Sequence, residues 1–189
     1  MKTPALLLLA TFVSTPAMAT APNFNYDYLD IGHISQSPDS GQSSKGPCAD
    51  FSYSIFDSVQ ARASYTKLDY DSTAGSPTAK DYTLGLTGES PVSDNTDVYT
   101  DVLYMNDRIT ASGVSTTQDG YRLAVGLRHR AMQRLELDGY LAHNFLNTPT
   151  NEVGVGLLFD ATSWLSFGLA YAHDNVYTST TTLRVRLYF

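Results

Sequence analysis

Beyond about residue 20 the chain alternates apolar and polar side chains in segments of roughly 10 to 14 residues separated by turn-forming residues, which is the period of an extended strand rather than of a helix. Tyr121, Leu123, Val125 and Leu127 interleave with Arg122, Ala124, Gly126 and Arg128. Val153, Val155, Leu157 and Phe159 interleave with Glu152, Gly154, Gly156 and Asp160, and Leu165, Phe167, Leu169 and Tyr171 with Ser166, Gly168, Ala170 and Ala172. Each segment has one apolar face and one polar or very small one. The pattern predicts ten strands, at 23–36, 45–55, 58–70, 79–90, 96–108, 118–130, 134–145, 151–161, 164–175 and 179–189, with eight as the nearest rival count. The fifth segment is ambiguous in phase. The first opens with Phe24, Tyr26 and Tyr28 against Asn25 and Asp27, then loses phase at Leu29-Asp30-Ile31, which predicts a bulge there.

An even strand count puts both chain ends on one side. Connections after even strands are tight (Ile55-Phe56-Asp57-Ser58, Pro91-Val92-Ser93-Asp94-Asn95, Ala131-Met132-Gln133, Thr162-Ser163). Those after odd strands include longer Ser/Thr/Gly-rich stretches at 37–44 and 71–78. Short turns on one side and longer loops on the other suit a sheet closed across a bilayer. Hydrocarbon offers no hydrogen bonds to an open sheet edge, so such a sheet must close. The expectation is an all-β, closed, antiparallel, up-and-down transmembrane barrel; a soluble β-sandwich is the rival. No stretch beyond the amino end is a continuous apolar run of helix-spanning length.

The amino end reads as an export signal: Lys2, an apolar run over 5–13, and the small-x-small site Ala17-Met18-Ala19. This divides the chain into a signal peptide, 1–19, and a barrel, 20–189. The 12 basic residues less Lys2 stand against 19 acidic ones, 11 − 19 = −8, which leaves no electrostatic footprint for nucleic acid. The single cysteine, Cys48, excludes an intramolecular disulfide and reads as a bystander.

The last strand sets Thr181, Leu183, Val185, Leu187 and Phe189 on alternate positions up to a terminal aromatic residue. In this the chain resembles the outer-membrane β-barrel superfamily. The resemblance implies residence in the outer membrane, contact with its lipids and lipopolysaccharide, and Leu183, Val185, Leu187 and Phe189 as a signal read by the barrel-assembly machinery. The tyrosine-rich first strand, followed by Asp50-Phe51-Ser52-Tyr53 and 62–67, also resembles small barrels of xanthomonads and relatives linked to cell signalling and plant immunity; no residue role is carried over from those.

Phe24, Tyr26, Tyr53, Phe56, Trp164 and Phe189 are expected at the inner rim, and Tyr70, Tyr82, Tyr121, Phe145 and Tyr171 at the outer one, as two interfacial girdles. Inside, cationic strands alternate with acidic ones. Arg122, Arg128 and Arg130 lie between Asp101 and the pair Glu136 and Asp138; Arg62 lies between Asp50 and Glu89; Arg184 and Arg186 meet Asp27 on closure. Charges in a narrow lumen need partners, so these twelve are expected to form an arginine–carboxylate plug in its lower half. Lys45, Lys67, Lys80 and Arg108 near the outer rim are candidate partners for lipopolysaccharide phosphates. His33, His143 and His173 near the outer ends, and His129 near the inner one, raise an outer-leaflet hydrolase as a remote alternative, but no Gly-x-Ser-x-Gly motif accompanies them. No catalytic, metal or cofactor site is expected. The function read from the sequence is an integral barrel with a structural or surface-interaction role, with a narrow pore as the alternative.

Overall fold

The computed structural model describes residues 24–39, 41–70, 77–176 and 178–189; the expected signal peptide lies outside them. Ten strands follow one another: β1 (Tyr28–Pro38), β2 (Ser44–Phe56), β3 (Val59–Tyr70), β4 (Thr78–Ser93), β5 (Thr96–Ala111), β6 (Val114–Met132), β7 (Leu135–Phe145), β8 (Thr150–Asp160), β9 (Leu165–Asp174) and β10 (Thr178–Tyr188). Each pairs antiparallel with its sequence neighbour, and β1 pairs with β10, closing the barrel. Ten strands, not eight, carry the fold.

The exterior is what a lipid environment selects. Leu84, Val125, Leu127, Leu141, Val155 and Leu183 point outward and stay between 50 and 62% exposed. A continuous apolar surface of that kind is not stable in water and is at home in hydrocarbon. The end that holds the short turns and both described termini is the one expected from the sequence to be the inner end. There Tyr53, Phe56, Trp164 and Phe189 are exposed, and Phe51 stacks on Phe189 at 6.0 Å. At the outer end Tyr82, Tyr121, Phe145 and Tyr171 are exposed; Tyr65 packs on Tyr82 at 5.0 Å and Tyr104 meets Tyr121 edge-on at 6.0 Å. Tyr70 departs from the expected girdle, because it shares the lumen phase of Leu68.

Curvature has a local cause. A Cβ on lumen-facing Gly46 would strike the carbonyl oxygen of Lys67, and one on Gly85 that of Val102. At these points neighbouring strands bend closer than any side chain allows, so glycine permits the small radius.

Two expectations about the backbone fail. No bulge interrupts β1: Tyr28 to Gln36 pair residue for residue with both β10 and β2. The register shifts lie instead at Ser54/Phe56, Pro91/Ser93 and Arg130/Met132, all beside the short inner turns. The apparent loss of phase arises because Phe24, Tyr26 and Tyr28, read as lipid-facing, point inward and are buried at 4, 5 and 6% exposure. Likewise, residues 109–117 form no loop. β5 and β6 continue to a two-residue turn in which Ser112 and Gly113 have φ of 51° and 81°, the type I′ pattern of a tight hairpin. This 16- and 19-residue pair rises above β7, whose last partner on β6 is Tyr121.

Candidate functional site: the charged lumen

Alternation turns every even residue of β6 and β7 inward, so Arg122, Arg128, Arg130, Glu136, Asp138 and Asn144 share the lumen face. β5 contributes Asp97, Tyr99 and Asp101, while β10 contributes Arg184 and Arg186. Charges brought into so narrow a space keep their ionised form only when partners and further hydrogen bonds compensate the lost hydration.

Three clusters do this in the inner half. Arg186 grips Asp30 through Nε at 2.7 Å and Nη2 at 2.8 Å, and Arg184 reaches the same carboxylate at 3.3 Å. Arg62 donates to Asp50 from Nε and Nη2 at 3.0 to 3.2 Å and to Asp101 from Nη1 at 2.9 Å, while the Thr87 hydroxyl also donates to Asp101 at 2.7 Å. Arg128 donates to Glu136 Oε1 from Nε at 2.9 Å and Nη2 at 2.6 Å. Higher up, Arg122 binds Glu152 at 2.9 Å and Asn144 at 3.1 Å, and Tyr140 donates to Glu152 at 2.6 Å.

The inner mouth is crossed by the chain itself. Residues 24–27 leave the β1 side and reach strands on the opposite wall. The Tyr26 hydroxyl donates to Asp97 of β5 at 3.3 Å. The guanidinium of Arg128 on β6 lies over both the Phe24 ring, at 4.9 Å, and the Tyr26 ring, at 4.4 Å; Arg130 also lies over Phe24, at 5.1 Å. Arg186 sits over Tyr28 at 3.7 Å. These cation–π contacts cover guanidinium faces that would otherwise lack water.

Tyr99 and Tyr140 fill the lumen from the side. Each lies over a glycine directly across the register, Gly126 and Gly154, and Tyr99 donates to Asp138 at 3.0 Å. A Cβ at Gly126 would collide with the Tyr99 ring. Gly126→Ala is therefore expected to displace Tyr99 from Asp138 and cost about 1–3 kcal/mol, as overpacking does, measured by urea unfolding of the refolded barrel. An unchanged midpoint would show that the tyrosine is not fixed there.

The packing leaves a space of about 50 Å³ among Tyr26, Tyr28, Arg62, Tyr99, Arg128 and Glu136, enough for a few water molecules. Above it lies a larger cavity of about 180 Å³, lined by Gly32, Ile34, Cys48, Ser64, Thr66 and Thr182 with Asp30, Asp50 and Arg184 at its floor.

Of the twelve charges expected inside, most converge as described, with differences at three. Asp27 is no lumen partner: its carboxylate accepts the backbone N–H of Ser54, and Asp30 takes the role assigned to it beside Arg184 and Arg186. Arg130 meets Phe24, since Glu136, its register partner, is bound by Arg128. Glu89 is buried on β4 without an ion pair to a described residue. Asp97 and Glu152 were not singled out from the sequence, although each shares the phase of a charge or glycine that was.

The histidines lie on the outward phase. His143 bonds Asn151 at 2.7 Å, His173 bonds Ser179 at 3.2 Å, and His129 bonds Thr96 at 2.9 Å. Among the described residues no group of three His, Cys, Asp or Glu side chains is placed to hold a metal ion.

No protein-family model and no curated protein matches the sequence. Among solved structures the chain is similar to the KdgM porin in complex with disordered oligogalacturonate, with a TM-score of 0.54 and 11% identity over 86% of this chain and 99% of that one. It is also similar to the KdgM porin alone (TM-score 0.49, 10% identity, 85% and 99% covered) and to Neisserial surface protein A (TM-score 0.45, 14% identity, 86% and 95% covered). At these identities the likeness is one of fold, and the fold is that of the outer-membrane β-barrel proteins.

Proposed function

We propose that this barrel is an integral protein of the outer membrane with a lumen closed at its periplasmic half, and that it serves the envelope as a structural and surface-presenting element rather than as an open pore. Its assembly into lipid by the barrel-assembly machinery, guided by the strand ending Leu183, Val185, Leu187 and Phe189, is part of the same reading. The observation that carries closure is the layer formed by residues 24–27 on Arg128 and Arg130, stacked on the Arg62 and Arg186 clusters, which leaves about 50 Å³. That space holds a few water molecules among side chains that are bonded to one another across the lumen. The surface it presents includes the β5–β6 hairpin, whose residues 114–120 have no partner on β7.

A channel is the second reading, favoured by the likeness in fold to a porin at a TM-score above 0.5. That porin is named with an oligogalacturonate, a polyanion. Here the arginines that such a ligand would seek are engaged by Asp30, Asp50, Asp101, Glu136 and Glu152. Purified barrel inserted into planar bilayers is expected to give no discrete conductance steps. Reproducible steps from the unaltered protein, selective for ions or small sugars, would support the channel and overturn closure.

A further inference from the structure

The basic residues are partitioned unevenly. Of the 12 lysines and arginines, Lys2 lies outside the described residues. Arg62, Arg122, Arg128, Arg130, Arg184 and Arg186 face the lumen, and Arg134 sits in an inner turn. The remaining four, Lys45, Lys67, Lys80 and Arg108, all fall on the outward phase of the adjoining strands β2 to β5, at their outer ends. The outward phase of β7 to β10 carries none.

Within that flank the cations are side by side. Lys67 is the direct register partner of Lys80, and Lys80 that of Arg108. Like charges placed directly across a strand pair destabilise it. The nearby carboxylates relieve the row only at Lys67 among its three members. Asp69 bridges Lys67 at 3.0 Å, while Asp119 accepts from the Tyr104 hydroxyl and from Asn106 Nδ2, both at 2.6 Å. Arg108 donates a long hydrogen bond, at 3.3 Å, to the Ser115 hydroxyl, and Lys80 is exposed. Three neighbouring cations of this kind ask for an anion outside the protein.

Their height identifies its source. The row stands just above the band Tyr65, Tyr82, Tyr104 and Tyr121, which marks the interface. The wall that carries it is the tall side of the barrel: β5 has 16 residues and β9 has 10, about 53 against 33 Å of strand. On the lipid-facing side, immediately above a tyrosine band, the anions available in a bilayer are headgroup phosphates.

We propose that the flank formed by Lys67, Lys80 and Arg108, with Lys45 beside it, binds the phosphorylated headgroup of an outer-leaflet lipid. Ammonium and guanidinium groups spaced along one row suit several phosphate oxygens at once, and the tyrosines beneath offer the acyl chains an aromatic floor. The proposal is independent of whether the lumen conducts.

Native mass spectrometry of the folded barrel in detergent tests it, with bisphosphorylated lipid A, the same lipid without its phosphates, and inorganic phosphate as probes. Unaltered protein is expected to retain the bisphosphorylated lipid in preference to the dephosphorylated one, with no retention of free phosphate. K67Q/K80Q/R108Q is expected to weaken the phosphorylated lipid on the order of 100-fold and leave the dephosphorylated one unchanged. K80Q alone, at an exposed position that does not threaten folding, is expected to lose about fivefold. Equal affinity of the unaltered protein for both lipids, or undiminished binding by the variants, would overturn the proposal. Free phosphate held as tightly as the lipid would show an anion site without a lipid specificity and would also overturn it.

Discussion

Phe24→Gly/Tyr26→Gly is expected to turn a silent barrel into one that passes ions. The two rings are the material that spans the inner mouth from the β1 side to β5 and β6, and both are almost fully buried there. Their removal leaves the guanidiniums of Arg128 and Arg130 without aromatic cover, so water enters beside them and the space of about 50 Å³ joins the larger cavity above. Single-channel recording in planar bilayers should show brief openings whose frequency exceeds that of the unaltered protein, while heat-modifiable migration on SDS gels is preserved. An equally silent variant would mean that the arginine–carboxylate layer closes the lumen without help from the amino-terminal rings.

The second large effect concerns stability. Arg186 and Asp30 are each 4% exposed at the side chain and joined by two short hydrogen bonds. Removing one member of such a buried pair leaves an uncompensated charge, so Arg186→Met is expected to cost about 3–5 kcal/mol in urea unfolding of the refolded barrel. Arg184, at 3.3 Å from the same carboxylate, moderates the loss toward the lower end. Removing both, in Asp30→Leu/Arg186→Met, is expected to cost less than the sum of the two single losses, because each single variant leaves a buried charge behind that the double one removes, although Arg184 then loses its carboxylate as well. Additive losses in the double variant would mean that the two residues do not act as a pair.

The wall of the barrel was legible in the sequence because a lipid-facing strand cannot hide its period. Leu123, Val125 and Leu127 must point outward, so Arg122 and Arg128 must point inward, and the same inference places Glu136, Asp138 and Arg184. It failed where the apolar-out rule does not hold. Phe24, Tyr26 and Tyr28 look like a lipid-facing stripe, yet they are inside because the two buried guanidiniums of Arg128 and Arg186 offer their faces to aromatic rings. Reversing the phase of that one segment assigned Asp27 to the lumen and passed over Asp30, and the compensating bulge was needed only to rejoin the two phases.

The outer part of β5 and β6 was hidden for a different reason. Ser115, Thr116 and Thr117 resemble a loop by polarity, but above the membrane a strand has no need of an apolar face, and threonine is a strand former. The Ser112-Gly113 dipeptide marks the turn, with both residues at positive φ. Partners in the lumen depend on how far each side chain reaches across the barrel, which alternation does not encode. Hence the pairing of Arg62 with Asp101 across β4, and of Arg122 with Glu152 across β7, appears only in three dimensions.

Closure of the inner mouth by the chain's own aromatic segment is tested most directly by NMR of the folded barrel in detergent, with arginine side chains and aromatic rings labelled. Through-space contacts between the Arg128 guanidinium and the rings of Phe24 and Tyr26 are expected, with the Arg128 side-chain protons shifted upfield by those rings. Random-coil shifts for residues 24–27, with no contact to Arg128 or Arg130, would contradict a closed mouth and return the lumen to the porin reading.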